Sequence, residues 1–348
     1  MTPAIPALLL ITLGLGTTIT FASSHWLLAW MGLEINTLAI LPLMARQHHP
    51  RAVEATTKYF LIQVTGAALL LFAACTNAWM TGEWNIQQSD NTYATTTALI
   101  GLTLKLGLAP MHIWLPEVLQ GLDLSIGLLV STWQKLAPFI LLVQVTPPDS
   151  KLLIALGLAS TLLAGWAGLN QTQIRKILAY SSVAHLGWMT VVLQFSPTLA
   201  LLTLLMYIIM TTSAFLVFNM NKSTTINSIS ISWAKNPTIT ALTPLILLSL
   251  GGLPPLTGFM PKWLILQELT KQDLAPLATL IALSSLLSLY FYLRLSYALA
   301  LTTSPNNTAG MPLWRLTYRK LSLPTATFTV ATMLLLPIMP TIVALMMQ

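Results

Sequence analysis

Charge is the property this sequence has least of: only 7% of its 348 residues are Asp, Glu, Lys or Arg. Soluble globular domains carry about 25% charged residues, so this chain could not cover a surface that faces water. A disordered chain is excluded as well, because 55% of the residues are hydrophobic and the mean hydropathy is +0.75. These values predict an integral membrane protein.

Cysteine is also nearly absent, since Cys75 is the only one in the sequence. A single thiol excludes an intrachain disulfide, a zinc site built on several thiolates and a cysteine-ligated iron–sulfur cluster. The sequence contains neither a G-x-x-x-x-G-K-[ST] phosphate loop nor a complete dinucleotide fingerprint. We therefore predict no metal and no cofactor in this chain, so its energy must come from an ion gradient or from a partner.

Long apolar runs fill most of the chain. A helix that crosses a bilayer needs about 20 mainly apolar residues, and runs of this length predict an all-α, polytopic membrane protein with about eleven transmembrane helices. The predicted spans are 3–22, 26–44, 57–79, 94–121, 123–145, 151–170, 175–195, 198–219, 239–271, 274–300 and 323–346.

The basic residues are distributed unevenly between the predicted loops, as expected when one side of a membrane collects Lys and Arg. One side holds Arg46, Arg51, Lys58, Arg175, Lys176, Lys222, Lys235, Arg315, Arg319 and Lys320. The other side holds Glu83, Asp90, Asp149 and Asp273, with Lys151 and Lys271. This segregation supports the span count and predicts the N-terminus on the basic side and the C-terminus opposite. The bases are spread singly rather than clustered on one face, so no nucleic-acid partner is expected.

Four ionisable residues fall inside apolar runs: Glu34, Lys105, Lys135 and Lys262. Lys105 and Lys135 each lie about eleven residues into a span, which is near the bilayer midplane at about 1.5 Å per residue. A lysine there costs roughly 2.5–3.5 kcal/mol on insertion scales. Lysines at span ends can reach the headgroups, but these two cannot, so we expect them to face the interior. Glu34 is the carboxylate available to pair with Lys105 or Lys135.

Two predicted spans are interrupted by helix breakers at membrane depth. Pro110 interrupts the first, and the second, LGGLPPLTGFMPKW, contains Pro254, Pro255 and Pro261 among three glycines. Such interruptions occur where the freed carbonyls meet protein, side chains or water. A matching pair of interrupted segments is typical of an ion site in an internally repeated transporter.

The spacing of the breaks predicts an internal repeat within a single integral membrane domain. Pro110 and Pro254 are 144 residues apart, with four unbroken spans between the interrupted ones. A repeat offset of five spans, an odd number, inverts the second half in the membrane. The predicted repeats are five helices each, at roughly 1–145 and 151–300, followed by a C-terminal helix at 323–346.

Two histidines lie close to these features. His112 is two helical turns from Lys105, and His185 lies mid-span, one turn after Ser181 and Ser182. Each is either a packing residue or part of a chain of polar groups that holds water, since imidazole titrates near neutrality.

Four segments together carry a resemblance to a known family: KLGLAPMHIWLPEVLQG (105–121), STWQKLAPF (131–139), SSVAHLGWM (181–189) and GGLPPLTGFMPKW (251–263). The chain resembles the proton-channel family shared by respiratory NADH:ubiquinone oxidoreductase and cation/proton antiporters. Its opening residues resemble a hydrophobic subunit of the vertebrate mitochondrial enzyme. The resemblance covers essentially the whole chain and implies two inverted five-helix repeats, each with one broken helix.

The resemblance also implies a role for each buried charge. It implies a proton pathway with a glutamate–lysine pair, a bridging lysine, a terminal lysine and two supporting histidines. In that order these are Glu34 with Lys105, Lys135, Lys262, and His112 with His185.

The resemblance further implies a core membrane subunit of complex I, the proton-translocating NADH:ubiquinone reductase of the mitochondrial inner membrane. Its N-terminus would lie on the matrix side and its C-terminus on the intermembrane-space side, with the bilayer and the other membrane and peripheral subunits of complex I as partners. NADH, FMN, iron–sulfur clusters and ubiquinone would belong to other subunits. Two alternatives stay open: an autonomous cation/proton antiporter that uses the same lysines, and a purely structural subunit that tolerates neutral substitution of all four charges.

Overall fold

The computed structural model describes residues 4–45, 49–88, 91–145, 151–234, 236–302 and 322–347. In these ranges the chain is helical and has no β-strand, which confirms the predicted all-α class. Two compact units are present, Met1–Leu156 and Gly157–Gln348. The predictions for Arg46, Asp90, Asp149, Lys235, Arg315, Arg319 and Lys320 lie outside the described residues.

In its described residues, the first unit contains seven helices and the first turns of an eighth. These are α1 (Ala4–Ala22), α2 (Trp26–Met44), α3 (Pro50–Thr81), α4 (Thr92–Leu106), α5 (Trp114–Gly121), α6 (Leu124–Ser131), α7 (Trp133–Val145) and α8 (Lys151–Gly168). Side chains accept hydrogen bonds from the first free amides of three of them: His25 caps α2, His49 caps α3 and Asn91 caps α4.

Helices α1 and α2 cross where two glycines meet. A Cβ atom on Gly32 would lie 2.6 Å from Cγ2 of Thr20 and 2.9 Å from the carbonyl oxygen of Gly16. Only hydrogen fits at this crossing, so the two backbones approach as closely as small residues allow in membrane helix pairs.

The described part of the second unit contains the rest of α8 and eight further helices. These are α9 (Ile174–Leu193), α10 (Pro197–Asn221), α11 (Ile226–Ser230), α12 (Pro237–Gly251), α13 (Phe259–Lys271), α14 (Ala275–Leu301), α15 (Ser322–Leu334) and α16 (Met339–Met347). A glycine crossing joins α8 to α9, where a Cβ atom on Gly157 would lie 3.0 Å from the carbonyl oxygen of Gly187. Arg294 on α14 donates to the carbonyl of Leu169 at 2.8 Å, which ties α14 to the end of α8.

The lengths of the observed helices support most of the predicted membrane spans. Among the described residues, eight helices are long and apolar enough to cross a membrane, counting 124–145 as one, and the bent pair α15 and α16 makes nine. The other two predicted spans are split into α4 with α5 and α12 with α13, and no piece exceeds 15 residues. A multi-pass membrane protein is therefore confirmed, while the count of eleven and the division into inverted repeats stay predictions.

Candidate functional site

The first predicted break divides α4 from α5 at residues 107–113. Gly107 ends α4 with φ +79°, a left-handed conformation that glycine adopts more readily than other residues. The amides of Gly107 and Leu108 both donate to the carbonyl of Thr103, at 2.9 and 3.0 Å. The last carbonyls of α4 are thus satisfied by the chain itself, and Pro110 lies in the loop that follows.

The second predicted break divides α12 from α13 at residues 252–258. Gly252 ends α12 with φ +79°, and the amide of Leu253 donates to the carbonyl of Leu248 at 3.3 Å. Both predicted interruptions are therefore real helix breaks that begin with the same left-handed glycine cap.

The structure corrects which prolines correspond. Pro110 is the third residue after Gly107, and it is Pro255, rather than Pro254, that is the third residue after Gly252. The glycine caps therefore set the offset between the breaks at 145 residues (252 minus 107) instead of 144. The sequence alone could not separate the two adjacent prolines, because either one interrupts a helix.

Lys105 lies in the last turn of α4, directly before the first break, and is 4% exposed. Its Nζ atom has no hydrogen-bond partner among the described residues. The Lys105 carbonyl accepts a hydrogen bond from Nε2 of Gln63 on α3 at 3.3 Å. Gly66 gives the side chain its space, since a Cβ atom there would lie 2.9 Å from Cγ of Lys105.

Glu34 lies near this lysine, on α2. Its carboxylate accepts a hydrogen bond from Oγ1 of Thr37 at 3.0 Å and interacts electrostatically with Lys105. Within the described ranges, no oxygen of Glu34 lies within 4.0 Å of a lysine nitrogen. The predicted pair is thus not a direct salt bridge in this conformation, and its role stays a prediction.

A small cavity brings Lys105 together with Lys135 on α7. Lys135 is buried, at 2% exposure. Its neighbour Gln134 donates through Nε2 to the carbonyl of Asn36 at 3.3 Å and accepts a hydrogen bond from the Tyr59 hydroxyl at 3.4 Å. The two predicted lysines of the first unit therefore share one polar cavity inside an apolar helix bundle.

Lys262 lies on α13 and reaches back across the second break. Its Nζ donates to the carbonyl of Gly251, the last residue of α12, at 2.6 Å, where a cation complements the negative end of a helix. The same nitrogen lies 5.9 Å from the ring centroid of Trp188, within the range of a cation–π contact. A Cβ atom on Gly252 would lie 2.8 Å from Cδ of Lys262, so the glycine also makes room for this side chain.

The two histidines differ in what surrounds them. His185 lines a small cavity together with Lys262, Thr203 and Pro261, and its ring centroid lies 5.7 Å from that of Tyr207. His112 is buried in the first break but is not among the residues that line the cavity of Lys105.

Two residues of the first cavity, Tyr59 and Gln63, carry no sequence motif that predicts their place. Only Gln63, a polar residue inside an apolar run, gives a signal in the sequence. Trp188, which lines the second cavity, falls within the segment SSVAHLGWM, but nothing in the sequence indicates that it lies close to Lys262. Across the described ranges, no three His, Cys, Asp or Glu side chains form a group that could hold a metal ion.

Comparison with known proteins gives consistent matches along the whole chain. Residues 23–288 match the family model described as NADH:quinone oxidoreductase/Mrp antiporter, TM, and residues 289–343 match NADH dehydrogenase subunit 2 C-terminus. NADH-ubiquinone oxidoreductase chain 2 of Tetraodon nigroviridis is 66% identical over 345 residues, and that of Salmo salar is 63% identical over 347, each with 99% of both chains covered. A chain of respiratory complex I from Thermus thermophilus with bound aureothin is similar in structure, with a TM-score of 0.77 and 28% identity over 96% of this chain and 79% of that chain.

The Lys105 amine has no hydrogen-bond partner among the described residues, which leads to a prediction about stability. Burying a polar group without a hydrogen bond costs about 1–3 kcal/mol, so Lys105→Met should raise the unfolding temperature of the detergent-solubilised protein. Lys262→Met is the matched control, because it removes the hydrogen bond to Gly251 and should lower the unfolding temperature or leave it unchanged. A clear loss of stability in Lys105→Met would show that this lysine stabilises the fold.

Proposed function

We propose that this chain, which belongs to the NADH-ubiquinone oxidoreductase chain 2 family, is a core membrane subunit of respiratory complex I that takes part in proton translocation. Translocation crosses the mitochondrial inner membrane and is coupled to electron transfer from NADH to ubiquinone. The observation that carries the proposal is the cavity beside the first helix break, which brings two buried lysines together. A membrane interior holds such groups when they serve an ion or proton path.

Protons are held and passed on by the buried lysines. A proton that reaches Lys135 changes the electrostatic contact between Glu34 and Lys105, because all three charges act on one another through an apolar medium. Lys262 then exchanges a proton with an aqueous side or with a neighbouring subunit. His185, beside Lys262, and His112, in the first break, support the path with imidazole rings, which can accept and donate protons.

The energies are of the right size for such a step. Moving one charge against 100 mV costs about 2.3 kcal/mol. Burial alone costs an ion several kcal/mol even after the protein relaxes. A modest change in the surroundings of a buried lysine is therefore enough to decide whether it holds a proton against the membrane potential.

The electron-transfer chemistry belongs to other subunits. NADH, FMN, iron–sulfur clusters and ubiquinone are handled by the rest of complex I, whose membrane and peripheral subunits are the partners of this chain, together with the lipid bilayer. No nucleic acid is involved. The N-terminus lies on the matrix side and the C-terminus on the intermembrane-space side, as the distribution of basic residues supports.

An autonomous cation/proton antiporter is the alternative with the same chemistry, and the family model that matches residues 23–288 is shared with Mrp antiporters. The respiratory assignment is favoured by relatives more than 60% identical over 99% of both chains, each of them chain 2 of NADH-ubiquinone oxidoreductase. A purely structural subunit is disfavoured because it gives no reason to keep two lysines in one buried cavity.

Whether the chain assembles into a complex distinguishes a respiratory subunit from a free antiporter. We expect this chain to comigrate with NADH-oxidising activity when gently solubilised membranes are run on a native gel and probed for it. The chain alone at low mass, away from that activity, would contradict the proposal and favour the antiporter.

Neutralising Lys135 tests the path itself. In assembled complex, Lys135→Met should lower the number of protons pumped per electron several-fold, because the shared cavity then holds one titratable group fewer. The measurement is proton uptake or release by vesicles together with NADH oxidation. Lys271→Met is the matched control, since Lys271 is 61% exposed and pairs with Glu268 at 3.5 Å. An unchanged ratio in Lys135→Met would refute the bridging role.

A further inference from the structure

A three-residue ion bridge joins α3 to α5 at the surface of the first unit. Nζ of Lys58 lies 2.8 Å from Oε1 of Glu54, one turn earlier on α3, and 2.8 Å from Oε2 of Glu117 on α5. The three side chains are 41%, 63% and 45% exposed, in the order Lys58, Glu54, Glu117. We call this group the α3–α5 bridge.

The residues of the α3–α5 bridge are close in sequence to residues that line the cavity of Lys105 and Lys135. Tyr59, the residue after Lys58, lines that cavity and is 1% exposed. Trp114, one turn before Glu117 on α5, lines it as well. Each of the two helices therefore carries a cavity-lining residue within one turn of an exposed bridge residue.

The packing of α5 leaves one end of this helix fixed and the other next to the break. At the C-terminal end, a Cβ atom on Gly121 would lie 2.7 Å from Cβ of Ala55, so α5 touches α3 there without space. The N-terminal end of α5 follows the loop 107–113. Glu117 lies between the fixed end and the loop, and its ion pair with Lys58 ties this part of α5 to α3.

Glu117 and Lys262 occupy equivalent positions relative to the two helix breaks. Glu117 is the tenth residue after the left-handed Gly107, and Lys262 is the tenth residue after the left-handed Gly252. Lys262 turns to the carbonyl of Gly251, whereas Glu117 turns to Lys58. Both broken helices thus place an ionisable side chain at the same distance from the cap.

We propose that the α3–α5 bridge is the gate between the aqueous phase and the cavity of Lys105 and Lys135, and this rests on the proposed function. Closed, the bridge keeps water and protons out of the cavity, and its opening admits them along the seam between α3 and α5. Exposed ion pairs contribute little to stability because water screens them. The bridge can therefore open and close without endangering the fold, as a gate must.

Access to the cavity is the direct test. Gln63, which lines the cavity, is replaced by cysteine in a Cys75→Ser background, and open membrane fragments with assembled complex are treated with methanethiosulfonate ethylammonium. The modification rate of this chain is read by mass spectrometry. We expect labelling up to about five-fold faster when Lys58→Met is added, a modest change because the ion pair is exposed. Lys58→Arg, which keeps the ion pairs, should restore the slow rate, and Lys271→Met should leave it unchanged.

Equal labelling rates with and without Lys58→Met would overturn the gate. If Lys58→Met prevents assembly, Glu117→Gln replaces it, because it breaks the link to α5 and leaves Lys58 paired with Glu54. The outcome is independent of the test of Lys135: an unchanged pumping ratio in Lys135→Met would refute the proton path while the labelling result still reports whether the bridge closes the cavity.

Discussion

The hydrogen bond from Lys262 to the carbonyl of Gly251 explains why a lysine and a broken helix occur together in this chain. A helix that stops inside a bilayer frees carbonyl groups that no lipid can satisfy. A lysine buried in the same place needs a partner for its amine. The lysine amine donates to a carbonyl freed by the break, so each buried group gives the other a hydrogen-bond partner. The buried lysine and the broken helix therefore occur together. The rest of the site follows from this constraint.

The two breaks differ in how the nearby lysine is placed and hydrogen-bonded. Both end the first helix with a left-handed glycine that satisfies carbonyls within the chain. At the second break the lysine comes after the interruption and folds back onto it. At the first break Lys105 comes before the interruption, and its amine is left without a hydrogen-bond partner in the described part of the chain. One lysine is held by its helix end, whereas the other faces a cavity that Lys135 shares.

Much of this could be predicted from the sequence because the bilayer imposes strict rules. Charge depletion implies membrane helices, and Pro110 and Pro255 in apolar runs imply broken ones. Side-chain directions were not predictable in the same way, since they depend on packing between helices distant in sequence. Examples are the position of Glu34 relative to Lys105 and the position of Trp188 relative to Lys262. The ion pair of Lys58 with Glu117 is another, because 59 residues separate them.

The most direct measurement of the central claim is the number of protons pumped per electron by assembled complex that carries Lys262→Arg. Arginine keeps the positive charge and the donors that can reach Gly251, but it does not release its proton in proteins. If Lys262 carries protons, the ratio falls although the chain assembles and NADH oxidation continues. If Lys262 only caps the broken helix, arginine serves equally well and the ratio is unchanged, which would contradict the account.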